Sequence, residues 1–243
     1  MFSVYKKELQ SYFFSPLAYV ITAIFMLIFS FTFINWLTNL VGTTFEFSFA
    51  TIFYNYFFYF IFLIPALTMK SFAEERKAGT EVLLMSSPLN VFQIVIGKFL
   101  AIATVYLAMM AVTFIYPIIA LINGHVVWSS LICGYIGFFA WGLVCISVGM
   151  LMSTFTESQI IAAILGEASM LLLYFVDTFA SNSFISTIPV VSDFLAAISP
   201  QARFANFATG VFSLSDLVFY VTFVIVVLCW TMISVEKRRW TRG

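Results

Sequence analysis

The chain has 243 residues, is 63% hydrophobic, carries 9% charged residues and has a net charge of zero. A soluble domain has about 45–50% apolar and about 25% charged residues, and a soluble chain this apolar would expose large greasy patches to water, so the composition excludes a soluble protein and indicates an integral membrane one. The apolar runs are continuous rather than alternating, which excludes barrel strands and favours helices that satisfy their own backbone groups.

Residues 1–15 place Lys6, Lys7 and Glu8 among Val4, Tyr5, Leu9, Tyr12, Phe13 and Phe14. The stretch is too polar to span. It predicts an amphipathic helix in the interface, rings down and lysines toward the headgroups. A membrane crossing needs about 20 residues, and six runs meet that length: 17–40, 49–69, 94–122, 129–152, 159–179 and 217–235. The first run is longer than the apolar core of a signal peptide and no small-x-small cleavage pattern follows it, so it reads as a retained span. The second is crowded with rings, Tyr54 and Phe57 among them. These predict lipid or helix contacts, with a ring-lined path for an apolar substrate as the alternative.

Residues 70–98 form the only strongly charged interior stretch, with Lys70, Glu74, Glu75, Arg76, Lys77 and Glu81 supplying six of the 22 charged residues. Both signs are present, so it is neither a nucleic-acid patch nor a lipid-headgroup patch. The i,i+4 pairs Lys70/Glu74 and Lys77/Glu81 predict a charge-laced helix over 70–87, weakened at Gly79 and stopped by Pro88. Two readings stay open: a helix gripped by another protein, or a solvated loop.

Pro117 predicts a kink in span 3. His125 is the only histidine and reads as a loop residue. Gly134, Gly137, Gly142 and Gly149 predict close helix approach in span 4. Span 5 carries Glu167 near its middle, where a carboxylate is expensive and marks a functional hypothesis, against the alternative of a neutral acid bonded across a helix interface. Residues 180–216 predict two short half-buried helices interrupted at Pro189 and Ser199-Pro200. Cys133, Cys145 and Cys229 are odd in number and unpaired in spacing, which argues against a disulfide framework or zinc site.

Ten of the eleven basic residues fall on one side of a six-span topology, and only Arg203 on the other. That asymmetry places both termini and the 70–98 segment in the cytoplasm. Gly97-Lys98 lacks the remainder of a phosphate-binding loop, and no protease or hydrolase motif is present. The chain is therefore expected to bind no nucleotide and to perform no covalent chemistry. If it does energetic work, another subunit supplies the energy.

Three groups of residues then resemble a known family. They are Lys7-Glu8-Leu9 with Tyr12-Phe13 and Ser15-Pro16; Glu74-Glu75-Arg76-Lys77-Ala78-Gly79-Thr80-Glu81 with Pro88 and Gly97-Lys98; and Ser199-Pro200, Arg203-Phe204, Gly210, Asp216 and Arg238-Arg239-Trp240. Together these resemble the permease subunits of ABC-2 type ATP-driven transporters. The nearest likeness is to the subgroup with the gliding-motility permease and the permease of nitrous-oxide-reductase copper-site maturation. The resemblance implies an elbow helix at 1–15 bearing Lys6, Lys7 and Glu8. It implies a coupling helix at 70–87, with Lys70, Glu74, Glu75, Arg76, Lys77, Gly79, Thr80 and Glu81 seated on a cytoplasmic ATPase. Ser199, Pro200 and Arg203 would belong to an external gate. Spans 2 and 5 would line the route, which draws attention to Tyr54, Phe57, Glu157, Gln159 and Glu167. It further implies two ATPases binding ATP and Mg, a second permease that is the same or a different chain, a setting in the lipid of the bacterial cytoplasmic membrane, and no nucleic-acid partner. A membrane anchor or mechanical coupler that moves no substrate is the alternative role. A secondary transporter is a third reading, against which no inverted repeat with broken helices is evident.

Overall fold

A computed structural model of the protein describes residues 2–39, 46–80, 90–123, 125–180 and 198–241. Glu81, Pro88, Pro189 and the stretch 181–197 of the expected gate lie outside these residues. The fold is all-α and multi-pass, with six helices among the described residues long and apolar enough to cross a membrane. Helix α1 (Phe2–Phe14) precedes the first span, α2 (Pro16–Asn39). Span 2 is α3 (Ala50–Thr68) and continues into α4 (Lys70–Lys77). Span 3 is α5 (Val91–Thr113) with α6 (Ile115–Asn123). Spans 4 and 5 are α7 (Trp128–Ser153) and α8 (Gln159–Ala180). A short helix, α9 (Pro200–Ala208), leads into the last span, α10 (Leu214–Thr241). Six alternating spans put α1 and the last turns of α10 at one end of the bundle, hereafter the termini end.

Span 4 is the hub. It packs on α3, α5, α8, α9 and α10 and is the most buried of the six, whereas α8 and α2 are the least buried. The glycines of α7 explain this. A Cβ on Gly134, Gly137, Gly142 or Gly149 would lie 2.5, 2.5, 2.3 or 2.1 Å from Phe53, Phe207, Tyr106 and Thr68 respectively. Each missing side chain therefore admits a specific neighbour. The core beside it is aromatic: Phe25, Tyr56, Phe60 and Phe138 are fully buried and meet largely edge to face, the geometry favoured by ring quadrupoles.

The break in span 3 falls at Phe114, three residues before Pro117. Proline has no N–H to give the carbonyl four residues back, which here is Thr113 O. The Tyr135 hydroxyl of α7 donates to that carbonyl at 3.2 Å, so the kink leaves no orphaned acceptor. At the far end, the distal end, β1 (Glu46–Phe47) pairs in parallel with β2 (His125–Val126) and ties together the loops before spans 2 and 4.

Candidate coupling site at the termini end

The expected coupling helix differs from its sequence reading. Met69 stays helical (φ −55°, ψ −30°) and its N–H donates to Pro65 O at 2.9 Å, so α4 is the end of the span-2 helix and not a separate element. It stops before 87. Gly79 adopts φ +71°, its N–H bonds Arg76 O at 3.0 Å, and the Thr80 N–H bonds Glu75 O at 3.0 Å. This pair of bonds is a Schellman cap, which needs the left-handed residue that glycine supplies without strain. Gly79 thus terminates the helix rather than weakening its interior.

The joint between α3 and α4 is closed by a residue of α7. Ser153 Oγ accepts from the N–H groups of Phe72 and Ala73 at 3.1 Å each and donates to Met69 O at 3.1 Å. A side-chain hydroxyl inserted into the helical ladder is a recognised cause of bending. Here it also fastens α4 to span 4.

Helix α1 lies on α5 and buries Val4, Glu8 and Tyr12, one residue per turn. Phe2, Phe13 and Phe14 are exposed, and what the sequence reading did not foresee is a carboxylate on the buried stripe, where Lys98 meets it. Lys98 is 1% exposed. Its Nζ lies 3.0 Å from Glu8 Oε1, 2.9 Å from Glu75 Oε2 and 2.7 Å from Ser71 O. One ammonium thus fills its three donor positions with acceptors from α1 and α4. Lys7 reaches the other oxygen of Glu75 at 3.4 Å. Lys70 donates to Ser15 Oγ at 3.0 Å rather than pairing with Glu74. The Tyr12 hydroxyl donates to Leu67 O at 3.1 Å. Burial, reinforced by Glu8, Glu74 and Glu75, pushes the Tyr12 phenol well above its ordinary range and keeps it a donor. A cavity of about 100 Å³ remains between α1 and α4, lined by Lys7, Glu8, Tyr12, Lys70, Glu74 and Lys98.

The expected coupling residues therefore divide into two faces. Arg76 is buried and donates from Nη1 to Thr156 O at 3.4 Å, at the turn into span 5. Glu75 is half-buried in the Lys98 cluster. Glu74, Lys77, Gly79 and Thr80 are exposed. Of the elbow residues, Lys6 and Lys7 are exposed and Glu8 is not. Sequence reasoning read Lys98 as a basic residue on the termini side and as part of the Gly97-Lys98 motif, not as the partner of Glu8 and Glu75, and missed Ser153 altogether. Neither has a local signal, because their partners lie up to 90 residues away.

The expected route residues are not brought together. Phe57 is buried and stacks on Trp141, with centroids 4.1 Å apart and planes 11° from parallel, so it is a core ring. Tyr54 is exposed and accepts from Gln201 Nε2 of α9 at 2.9 Å. Glu157 and Gln159 sit at the α7–α8 turn at the termini end. Glu167 is half-buried on α8, beside Gly166, which packs against Pro65. Pro65 is eight residues along α3 from Phe57, about 12 Å by helical rise.

At the distal end, Ser199 caps α9 by accepting from the Ala202 N–H at 3.3 Å, with Pro200 at the first helical position, the favoured arrangement for a helix start. Arg203 Nη1 donates to Asp216 Oδ1 at 2.9 Å and Asn206 Nδ2 to Oδ2 at 2.8 Å. The Arg203 guanidinium also lies 4.2 Å over the Phe219 ring. Tyr220 donates to Pro200 O at 2.6 Å and Ser130 to Ala208 O at 2.9 Å. Helix α9 is thus bolted to α7 and α10.

Six apolar helices around a glycine-faced hub, with a charged extension of span 2 locked at the termini end, define a multi-pass membrane protein. The chain belongs to the ABC-2 family of transporter proteins, whose family pattern matches residues 40–235. It is thereby a membrane permease component of an ABC system, a class that works with a cytoplasmic ATPase. No match was found among curated proteins.

Proposed function

We propose that the chain is the permease half of an ATP-driven exporter in a bacterial cytoplasmic membrane, with the termini end in the cytoplasm. Its ATPase is a separate subunit present in two copies, and ATP and Mg bind there rather than on this chain. A second permease, the same chain or another, completes the unit. The gliding-motility and copper-site-maturation subgroup is the finer membership we favour, on the hinge and closing motifs quoted above.

The observation that carries this reading is α4. One face is fastened to span 4 by Ser153, to α1 and α5 through Lys98, and to the α7–α8 turn by Arg76. The other face offers Glu74, Lys77 and Thr80 to the surroundings. A short, capped, continuous extension of a spanning helix acts as a lever. Force on its exposed face reaches spans 2, 3 and 4 together. ATP binding would close the ATPase pair and shift the permease between inward and outward states by its differential affinity for them. Spans 1 and 5 are the least buried and both flank α3, which supports that face as the one a second permease covers.

The test is purification of the full chain from its native membrane in mild detergent, with partners identified by mass. An ATPase should co-purify and be lost on the charge swap Glu74→Lys with Lys77→Glu, two exposed sites whose change leaves the fold intact. Recovery of the chain alone, under conditions that preserve a known ATPase–permease complex, overturns the reading.

A further inference from the structure

A groove of about 300 Å³ runs between the hub helix α7 and the last span α10. Ile136, Ala140 and Leu143 form one wall and Leu217, Val221 and Ile225 the other. Positions three and four apart share a helix face, so each wall is one continuous apolar stripe. The single hydroxyl among the lining residues, that of Tyr220, already donates to Pro200 O at 2.6 Å. The lining therefore offers nothing to hold a headgroup, a sugar or a peptide backbone.

This face is not the one proposed for a second permease. Gly134, Phe138 and Trp141 direct α7 at α3, where they meet Phe53, Phe60 and Phe57. Ile136 and Ala140 are each two positions from Phe138, about 200° around the helix axis. The groove thus opens into the bilayer on the side of the hub opposite α3 and its flanking spans, α2 and α8.

Depth selects the occupant. On α10 the groove starts one turn below the helix start, at Leu217, and ends at Ile225, eight residues or about 12 Å lower. One leaflet of the hydrocarbon core is about 15 Å deep. Below Ile225 the two helices close: Leu228, Thr231 and Val235 are buried, and Thr154 Oγ1 shares a hydrogen bond with Ser234 Oγ at 2.9 Å. A partner's spanning helix needs a contact face about 30 Å long and would lose this one half-way. A single acyl chain of the distal leaflet matches it in length and in chemistry. An empty slot would instead forfeit dispersion contacts along its whole lining.

Tyr220 gives such a chain a consequence. Its buried ring lines the groove while its hydroxyl holds the first residue of α9. Beside the groove's upper end, Leu217 adjoins Asp216, which holds Arg203 and Asn206 of the same helix. We propose that the α7–α10 groove binds one acyl chain of a distal-leaflet lipid, whatever its headgroup, and that the chain props Tyr220 and thereby α9. Neither the ATPase nor a direction of transport enters this proposal or its test.

The full chain is delipidated in mild detergent and titrated with a phosphatidylcholine that carries a photoreactive diazirine midway along one acyl chain. After irradiation, labelled positions are mapped by mass. Labelling at Ala140, Val221 and Ile225 should saturate at one lipid per chain, whereas Val226, exposed on another side of α10, should label in simple proportion to the probe. Unlabelled phosphatidylcholine and phosphatidylglycerol with the same chains should displace the probe equally. Ala140→Phe, which fills the slot, should reduce groove labelling to the Val226 level. Val221→Trp narrows the slot from its exposed wall and should do the same, so the result does not hang on one packed site. Proportional labelling at both places overturns the site, leaving only the lipid that coats every span. So does an unlabelled groove, which a protein surface then covers, or displacement by one headgroup alone. Hydrogen exchange tests the prop. The α9 amides should exchange faster in the delipidated protein than after phosphatidylcholine is added back. Tyr220→Phe, which keeps the ring and loses the bond to Pro200 O, should retain groove labelling and abolish that difference. Identical α9 exchange with and without lipid in the parent protein overturns the prop.

Discussion

At the termini end, Lys98 holds Glu8 of α1, 90 residues away in the chain, and the Ser71 carbonyl of α4, 27 residues away. At the distal end, Asp216 holds Arg203 and Asn206, only 13 and 10 residues before it. Both clusters centre on a buried charge flanked by groups of opposite sign or good donors. They differ in what they join. The first ties together three helices far apart in the chain, and one of them carries the exposed face proposed for the ATPase. The second closes a local corner, the turn from α9 into α10. A long-range charged node can transmit displacement between elements, whereas a local clamp keeps one element rigid. In the proposed cycle, then, movement enters at Lys98, and α9 travels with α10 as a unit.

The largest expected effect comes from Lys98→Met. Removing one member of a buried ion cluster leaves the others uncompensated and costs about 3–5 kcal/mol. Thermal unfolding in nanodiscs should fall sharply, and protease should cut α1 early as it leaves α5. Adding Glu8→Gln and Glu75→Gln to Lys98→Met should recover much of the loss, because it is the unpaired charge and not the absent pair that destabilises. If Lys98→Met melts like the parent protein, the node holds nothing together and the contrast between the two ends fails.

Asp216→Ala should cost less, about 1.5–3 kcal/mol for bonds to a charged group and toward the lower figure because Arg203 is partly exposed and can turn to water. Its effect should stay local. Cleavage should rise around α9 while α1 remains protected. The same protease experiment therefore separates the two clusters by site as well as by size. Ser153→Ala tests the joint between α3 and α4. It strips a hydroxyl from the Phe72 and Ala73 N–H groups and the Met69 carbonyl, at about 1–3 kcal/mol. Accelerated amide exchange at 72 and 73, with spans 2 and 4 unchanged, is the expected signature; unchanged exchange would mean the ladder closes without Ser153.

The spans were legible in the sequence because length and hydropathy decide them, and membrane insertion leaves little room for tertiary override. The Ser199-Pro200 cap was also within reach, since caps are local chemistry. Gly79 was read with the wrong role. Its cost inside a helix is general, but whether it weakens or ends the helix depends on where the i→i−4 ladder stops, which charge pairing obscured. The rings of span 2 read as lipid or helix contacts, and only the resemblance drew Phe57 toward the route, because a span ringed with aromatics gives no facing direction. The Trp141 ring that captures it lies on another span. Lys98 was counted toward the cytoplasmic charge asymmetry without a partner being assigned, because hydropathy treats every lysine alike. Its burial is decided by Glu8 and Glu75, and no spacing rule links those positions. What escaped the sequence is long-range pairing between spans, and the candidate coupling site is made almost entirely of that.

The smallest expected effect sharpens the comparison most. Lys7 also reaches Glu75, at 3.4 Å, but its side chain is 62% exposed against 1% for Lys98. An exposed pair gains little Coulomb energy in water and loses side-chain entropy on forming, for a net of about 0–1 kcal/mol. Lys7→Ala should therefore leave thermal unfolding within about 0.5 kcal/mol of the parent, and what little changes should vanish in salt, whereas the Lys98→Met deficit should persist there because a buried pair is screened much less. Two lysines on one carboxylate then give opposite salt responses, and their difference measures how much of the node's strength comes from burial alone. If Lys7→Ala proved as damaging as Lys98→Met, Glu75 would be held chiefly from the solvent side, and α4 would be fastened by its exposed edge rather than by the node beneath it.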